Sequence, residues 1–146
     1  MHQDRVELST SLGYLLKEAA SALRLEMEAV LRPLGLNVTQ YACLELLAQR
    51  PGLSNSELAR GAFVTRQSMN TVLQSLEREG LVGRPDVAPA GRTLPADLTE
   101  SGRRLLASAS TAVRAVEAGM LDDLDATDQD QLRDLLARCV GSLRGR

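Results

Sequence analysis

The stretch from Ser54 to Gly102, SNSELARGAFVTRQSMNTVLQSLEREGLVGRPDVAPAGRTLPADLTESG, constrains this chain more than any other part of it. Ser54 and Glu57 have the S-x-x-E spacing of a capping box, in which each side chain satisfies a free backbone N–H at a helix start. A short helix is therefore predicted to open at Ser54, with Leu58 and Ala59 on its apolar face. Gly61 is expected to stop it, because glycine takes the left-handed backbone conformation at low cost. Phe63 and Val64 read as apolar turn residues that pin this helix to the next, and Thr65 reads as the next N-cap.

The second helix sorts its residues by face. Met69, Val72, Leu73 and Leu76 fall at i, i+3, i+4 and i+7 and form one buried stripe. The opposite face holds Gln67, Asn70, Thr71 and Gln74, flanked by Arg66, Ser68 and Arg78. Side chains of these types match base edges and phosphates: Asn or Gln pairs with adenine, Arg with guanine, Ser or Thr with several groups. Gly80 ends the helix and Leu81-Val82 begins a strand, with Arg84 just after it. Pro85, Pro89, Ala90 and Gly91 make a turn region, Arg92 follows it, and a return strand is expected over Leu94 to Leu98. Pro95 cannot donate to a ladder, so that strand must present its N–H side to solvent or bulge. Thr99 and Glu100 start another helix. Helix, turn, longer helix and hairpin in this order describe a winged helix-turn-helix over residues 36–99, mainly helical with a small β-hairpin wing.

With these residues placed, the chain resembles the MarR family of bacterial transcription regulators. The resemblance is carried by Leu36-x-x-Thr39-Gln40-Tyr41, Leu58-Ala59, Leu76-Glu77-Arg78-Glu79-Gly80-Leu81-Val82, Gly91-Arg92 and Leu98-Thr99-Glu100-Ser101-Gly102. It covers nearly the whole chain. It implies a cytoplasmic homodimer that binds a pseudo-palindromic double-stranded DNA operator, commonly as a repressor released by a small molecule or by oxidation. On this resemblance the face from Gln67 to Gln74, with Ser68, Asn70 and Thr71, reads the major groove and Arg92 is the wing arginine of the minor groove. Arg66, flanking that face, is a further DNA-binding candidate, and Arg84 is expected chiefly to add affinity. Relatives usually carry Asp two residues before that arginine, where this chain has Ala90, so a mobile wing tip is expected.

Composition fits one protomer of 146 residues. The chain is 44% hydrophobic and only 2% aromatic, so its core rests on aliphatic side chains. Its net charge of −2 is unusual for a nucleic-acid binder. The acids are unevenly spread, however: residues 50–104 hold eight Lys/Arg against six Asp/Glu, while Asp122, Asp123, Asp125, Asp128 and Asp130 cluster near the C-terminal end. No signal-peptide core or membrane-length apolar run is expected. Residues 10–34 and 100–144 carry long helical stripes, Leu12, Leu15, Leu23 and Val30 in one and Leu105, Val113, Val116 and Met120 in another. Leu132, Leu135, Leu136, Val140 and Leu143 make a third. At 1.5 Å per residue the first helix is roughly 35 Å long, too long for a small winged domain to cover. Dimerisation through these helices is expected, with an intramolecular bundle as the other solution.

Catalytic chemistry has little support. His2 is the only histidine, and no zinc-protease motif, phosphate loop or nucleophile elbow occurs. No metal or cofactor is expected. Cys43 and Cys139 lie on apolar helical stripes and read as small buried hydrophobes, without a redox role. Tyr14, Arg24 and Tyr41 are candidates for an effector crevice, although core filling and surface solvation explain them as well. A second function class remains open at this level, a winged-helix module for protein–protein interaction that never touches DNA.

Overall fold

The computed structural model describes residues 5–84 and 96–145. Its elements follow in the order α1 (Leu12–Leu31), a 3-10 turn (Arg32–Leu34), α2 (Val38–Gln49), α3 (Asn55–Gly61) and α4 (Arg66–Arg78). Strands β1 (Val82–Gly83) and β2 (Asp97–Leu98), then α5 (Glu100–Met120) and α6 (Ala126–Arg144), complete it. The strands pair antiparallel, with Val82 opposite Leu98. Residues 85–95, which include the expected wing residues Ala90, Gly91, Arg92, Leu94 and Pro95, lie outside the described residues.

Local chemistry sets the helix ends. The expected capping box at Ser54 and Glu57 is formed, as is the Thr65 cap, whose hydroxyl accepts from the Ser68 N–H. Asn37 and Gln40 form a further capping box on α2, and Asp125 and Asp128 one on α6. The α4 helix ends in a Schellman motif: the Leu81 N–H donates to the Leu76 carbonyl, the Gly80 N–H to that of Glu77, and Gly80 has φ +74.

The end of α3 corrects one expectation. Gly61 belongs to the helix, and the left-handed residue is Phe63, with φ +61. The Val64 N–H donates to the Ala59 carbonyl and the Phe63 N–H to that of Arg60, the same bonding pattern with phenylalanine at the glycine position. Gly61 is small for a different reason, since a Cβ there would lie 2.9 Å from Leu46 Cδ1. Nor does Phe63 pin the two helices: it is 84% exposed, and Val64 alone packs against the core.

The core lies where α2, α3 and α4 meet the start of α5, with Leu31, Leu44, Leu47, Leu58, Met69 and Leu76 essentially inaccessible. Of the α4 stripe, Met69, Leu73 and Leu76 are buried and Val72 partly so. Gly102 permits a close crossing, because a Cβ there would sit 2.1 Å from the Leu81 carbonyl oxygen. That carbonyl accepts the Thr99 N–H, and the Thr99 hydroxyl donates to the Gly80 carbonyl at 2.6 Å. The end of α4, the base of the hairpin and the start of α5 are thereby tied together. Helix α1 packs along α5, whereas α6 buries no residue against the described residues. Cys139 is on α6 and exposed, contrary to the buried reading; among the described residues nothing packs on its stripe.

Candidate nucleic-acid interface

Helix α4 presents Arg66, Gln67, Ser68, Asn70, Thr71 and Gln74 to solvent together, opposite Met69, Leu73 and Leu76 in the core. The six groove-facing candidates therefore share one surface. Its position is braced from behind. Gln40, a buried polar residue, accepts the Asn37 N–H through Oε1 and donates through Nε2 to Ser75 Oγ at 3.2 Å. Ser75 Oγ in turn donates to the Val72 carbonyl. A capped N-terminus and a buried amide on its inner side fix the helix axis, leaving the outward side chains as its adjustable part.

Those side chains are not equally free. The Thr71 hydroxyl donates to the Gln67 carbonyl at 3.2 Å, so it offers outward only its lone pairs and its methyl group. Ser68 shares a 3.0 Å hydrogen bond with the Thr65 hydroxyl that caps the helix. Asn70 Oδ1 accepts from Asn55 Nδ2 at 2.6 Å, a bond between the first residue of α3 and the middle of α4. Arg84, just after β1, pairs with Glu77 Oε1 at 3.2 Å and is thus held near the C-terminal end of α4. Arg92 is outside the described residues.

Sequence reasoning missed Gln40 and Asn55. The Asn37-x-x-Gln40 spacing was a readable cap signal, but the inward reach of the amide to Ser75 was not. Asn55 and Asn70 are fifteen residues apart with no periodic relation, and only the packing of α3 on α4 brings them together.

The effector candidates do not assemble. The Tyr41 hydroxyl donates to Glu45 Oε2, which also accepts from Ser110 Oγ at 2.7 Å, tying α2 to α5. Burial and the adjoining Glu45 carboxylate push the Tyr41 hydroxyl up to about 12. Burial alone would raise Glu45, but hydrogen bonds from Tyr41, Ser110 and Gln49 bring it below the ordinary carboxylate value. Arg24 pairs with Glu28, and Tyr14 stands half exposed on α1. None of the three lines the cavity of about 600 Å³ between α1 and α5, whose walls include Ala19, Ala22, Leu23, Ala112, Val116 and Met120. Burial pushes the Cys43 thiol up to about 12, so it stays protonated near neutral pH. A second cleft of about 650 Å³ beside Phe63 is lined by Arg50, Arg60 and Arg144. Among the described residues no group of three potential metal ligands occurs, and no helix is long and apolar enough to cross a membrane.

Comparison with known proteins agrees with this geometry. Residues 34–93 match the family model described as MarR family. The chain is 48% identical over 127 residues, 87% of its length and 91% of the relative's, to the HTH-type transcriptional repressor Rv2887 of Mycobacterium tuberculosis. The crystal structure of Rv2887 with salicylic acid is similar at a TM-score of 0.76 and 46% identity, covering 93% of this chain and 98% of that one. Its complex with DNA is similar at 0.73 and 43% identity, covering 89% and 98%. With a capped helix-turn-helix, a paired hairpin base and relatives this close over nearly its whole length, the chain belongs to the MarR family.

Proposed function

We propose that this protein is a sequence-specific DNA-binding repressor that occupies an inverted-repeat operator as a homodimer and is released by a small-molecule effector. The observation that carries this reading is the exposed polar face of α4, braced from behind by the Gln40–Ser75 contact. A helix held so firmly, with Gln67, Asn70, Thr71 and Gln74 outward, suits insertion into a major groove. An interaction module for other proteins would call for an apolar face there. Arg66 and Ser68 lie beside the helix start, where phosphate contacts are favoured, and Arg84 and Arg92 are assigned to backbone affinity. The repressor named above and its crystallisation with DNA support the assignment. The chain acts by binding, with no catalytic step, and in the cytoplasm where an operator is accessible.

Residues 10–34 and 100–144 are assigned to dimerisation, and 36–99 to DNA binding. Helix α6 carries an apolar stripe with Leu135 at 52% and Leu143 at 71% exposure. The α1–α5 cavity, walled mostly by alanines and apolar side chains with Glu26 among them, is a largely apolar receptor for the same helix of a second copy. Reciprocal seating of this kind is self-complementary about a two-fold axis and closes the assembly at two chains. The salicylic acid complex of the 46% identical relative supports a small aromatic acid as effector class.

Selection of bound sequences from a random duplex pool tests the reading. Enrichment of an inverted repeat with half-sites centred about 10 bp apart is the expected result. A monomer at micromolar concentration that enriches no sequence would reject it.

A further inference from the structure

Asn70 sits in the middle of the exposed face of α4, with Arg66 and Gln67 one turn before it and Gln74 one turn after. Its backbone is immobilised by the buried Met69 and Leu73 and by the Gln40–Ser75 contact. What remains free is the orientation of its side-chain amide, and an amide presents opposite chemistry at its two ends. The 2.6 Å bond from Asn55 Nδ2 to Asn70 Oδ1 settles that orientation. Asn55 is the first residue of α3, and in that bond its amide N–H is the donor.

We propose that Asn55 is a specificity-determining residue of the DNA interface, holding the Asn70 amide so that its N–H donors are the group offered to a base. Such a reader selects a base with an acceptor in the major groove, N7 of a purine foremost, over cytosine, which offers only the N4 donor there. Asn55 is a positioning residue in this scheme and acts through Asn70. Without it the amide can reverse, and one binding orientation must be selected from two at the moment of association. Fixing a rotamer-rich side chain in advance is worth about three- to tenfold in affinity.

The inference rests on the DNA-reading assignment of α4, and its test separates the two. Base profiles are selected from a random duplex pool for the full-length parent protein, Asn55→Ala, Asn55→Asp, Asn70→Ala and the double variant Asn55→Ala/Asn70→Ala, with folding checked by circular dichroism. The parent protein should show a purine preference at one position per half-site that Asn70→Ala erases. Asn55→Ala should weaken the selected sequence about three- to tenfold, leave random duplex unchanged, and flatten that one position. The double variant should match Asn70→Ala alone, because the two residues act as one unit. Asn55→Asp gives the most telling result. Its carboxylate can only accept, so it attracts the Asn70 N–H groups, turns the Asn70 carbonyl outward, and shifts that position toward cytosine.

A parent protein that enriches no sequence rejects both the assignment and this inference. A parent profile left unchanged at every position by Asn55→Ala and Asn55→Asp rejects the inference alone. Equal loss on selected and random DNA in Asn55→Ala would make Asn55 a phosphate contact and also overturn it.

Discussion

Between Leu36 and Leu98, Leu44, Leu58, Met69 and Leu76 are completely enclosed, whereas α6, with an apolar stripe of similar periodicity, encloses nothing. Both regions obey the same sequence rule, that apolar residues at helical spacing define a face to be covered. The difference lies in the supply of covering surface. Within the winged domain α2, α3, α4 and the hairpin base converge on one centre, and polar braces such as Gln40–Ser75 lock the result. At the other end α1 and α5 cover one another only in part and leave an apolar cavity of about 600 Å³. One region is finished by its own chain; the other is left uncovered in the protomer, and it is there that the proposed dimer would close.

Breaking the unfinished end should have the largest effect. Leu135→Asp places a carboxylate in the α6 stripe, where it disturbs no buried contact of the protomer. Folding should survive while sedimentation shows monomers. Operator affinity should fall about 10²- to 10⁴-fold, because two linked half-site contacts become independent. A dimer that persists in Leu135→Asp would place the interface elsewhere. The finished end should fail through stability instead. Gly102→Ala drives a Cβ into the Leu81 carbonyl, and backbone cannot yield there as a side-chain tip would. A loss of roughly 3 kcal/mol in chemical denaturation is expected, with dimerisation intact in whatever fraction folds.

The same division decides how much could be read in the sequence. The capping box at Ser54 and Glu57, the Thr65 cap, the α4 stripe and Gly80 were all legible, because each depends on residues a few positions apart. The six outward residues of α4 were legible for the same reason. Asn55 and Gln40 were not, since their partners lie across helix contacts that periodicity does not encode. Gly61 misled because a glycine near a helix end suggests a left-handed cap, while its small size here accommodates Leu46. Cys139 misled because an apolar stripe says that a face wants cover without saying which molecule supplies it. Ala90 and Arg92 fall outside the described residues, so the expected wing remains a sequence reading.

Within the DNA-reading face, effects of intermediate size should separate by chemistry. Gln67→Ala should cost about 1–3 kcal/mol on the selected operator and relax one base position. Arg84→Ala should weaken all duplexes alike and make the dependence on salt shallower. Matching profiles for the two variants would dissolve the distinction between base reading and backbone affinity. A smaller, pH-dependent effect is expected where the two regions join. Glu45 is held below the ordinary carboxylate value by Tyr41, Ser110 and Gln49, so its contribution is present at neutral pH. That contribution is lost as pH falls below the ordinary carboxylate range and through the depressed value. Glu45→Gln should therefore flatten the acid side of the stability profile. An unchanged acid limb would mean that the α2–α5 tie does not contribute to folding.

The smallest effect expected is a gain. Helices α3 and α4 end in the same Schellman bonding pattern, yet the left-handed position is Gly80 in one and Phe63 in the other. A side chain in that conformation brings its Cβ close to the following carbonyl oxygen, at a cost of roughly 1–2 kcal/mol. Burial does not offset this cost, because the Phe63 ring is 84% exposed. Glycine removes the strain but gives the unfolded chain more freedom, which returns roughly 0.5–1 kcal/mol of the benefit. Phe63→Gly should therefore stabilise the protomer by somewhat under about 1 kcal/mol and raise Tm by a few degrees. Gly80→Ala, the reverse exchange in the sister cap, should destabilise by about 1 kcal/mol, since alanine would inherit the strain with no new contact. A more stable Gly80→Ala would overturn the strain argument at both caps. A less stable Phe63→Gly would show that the ring holds the turn by contacts beyond burial, and would restore the pinning role expected from the sequence.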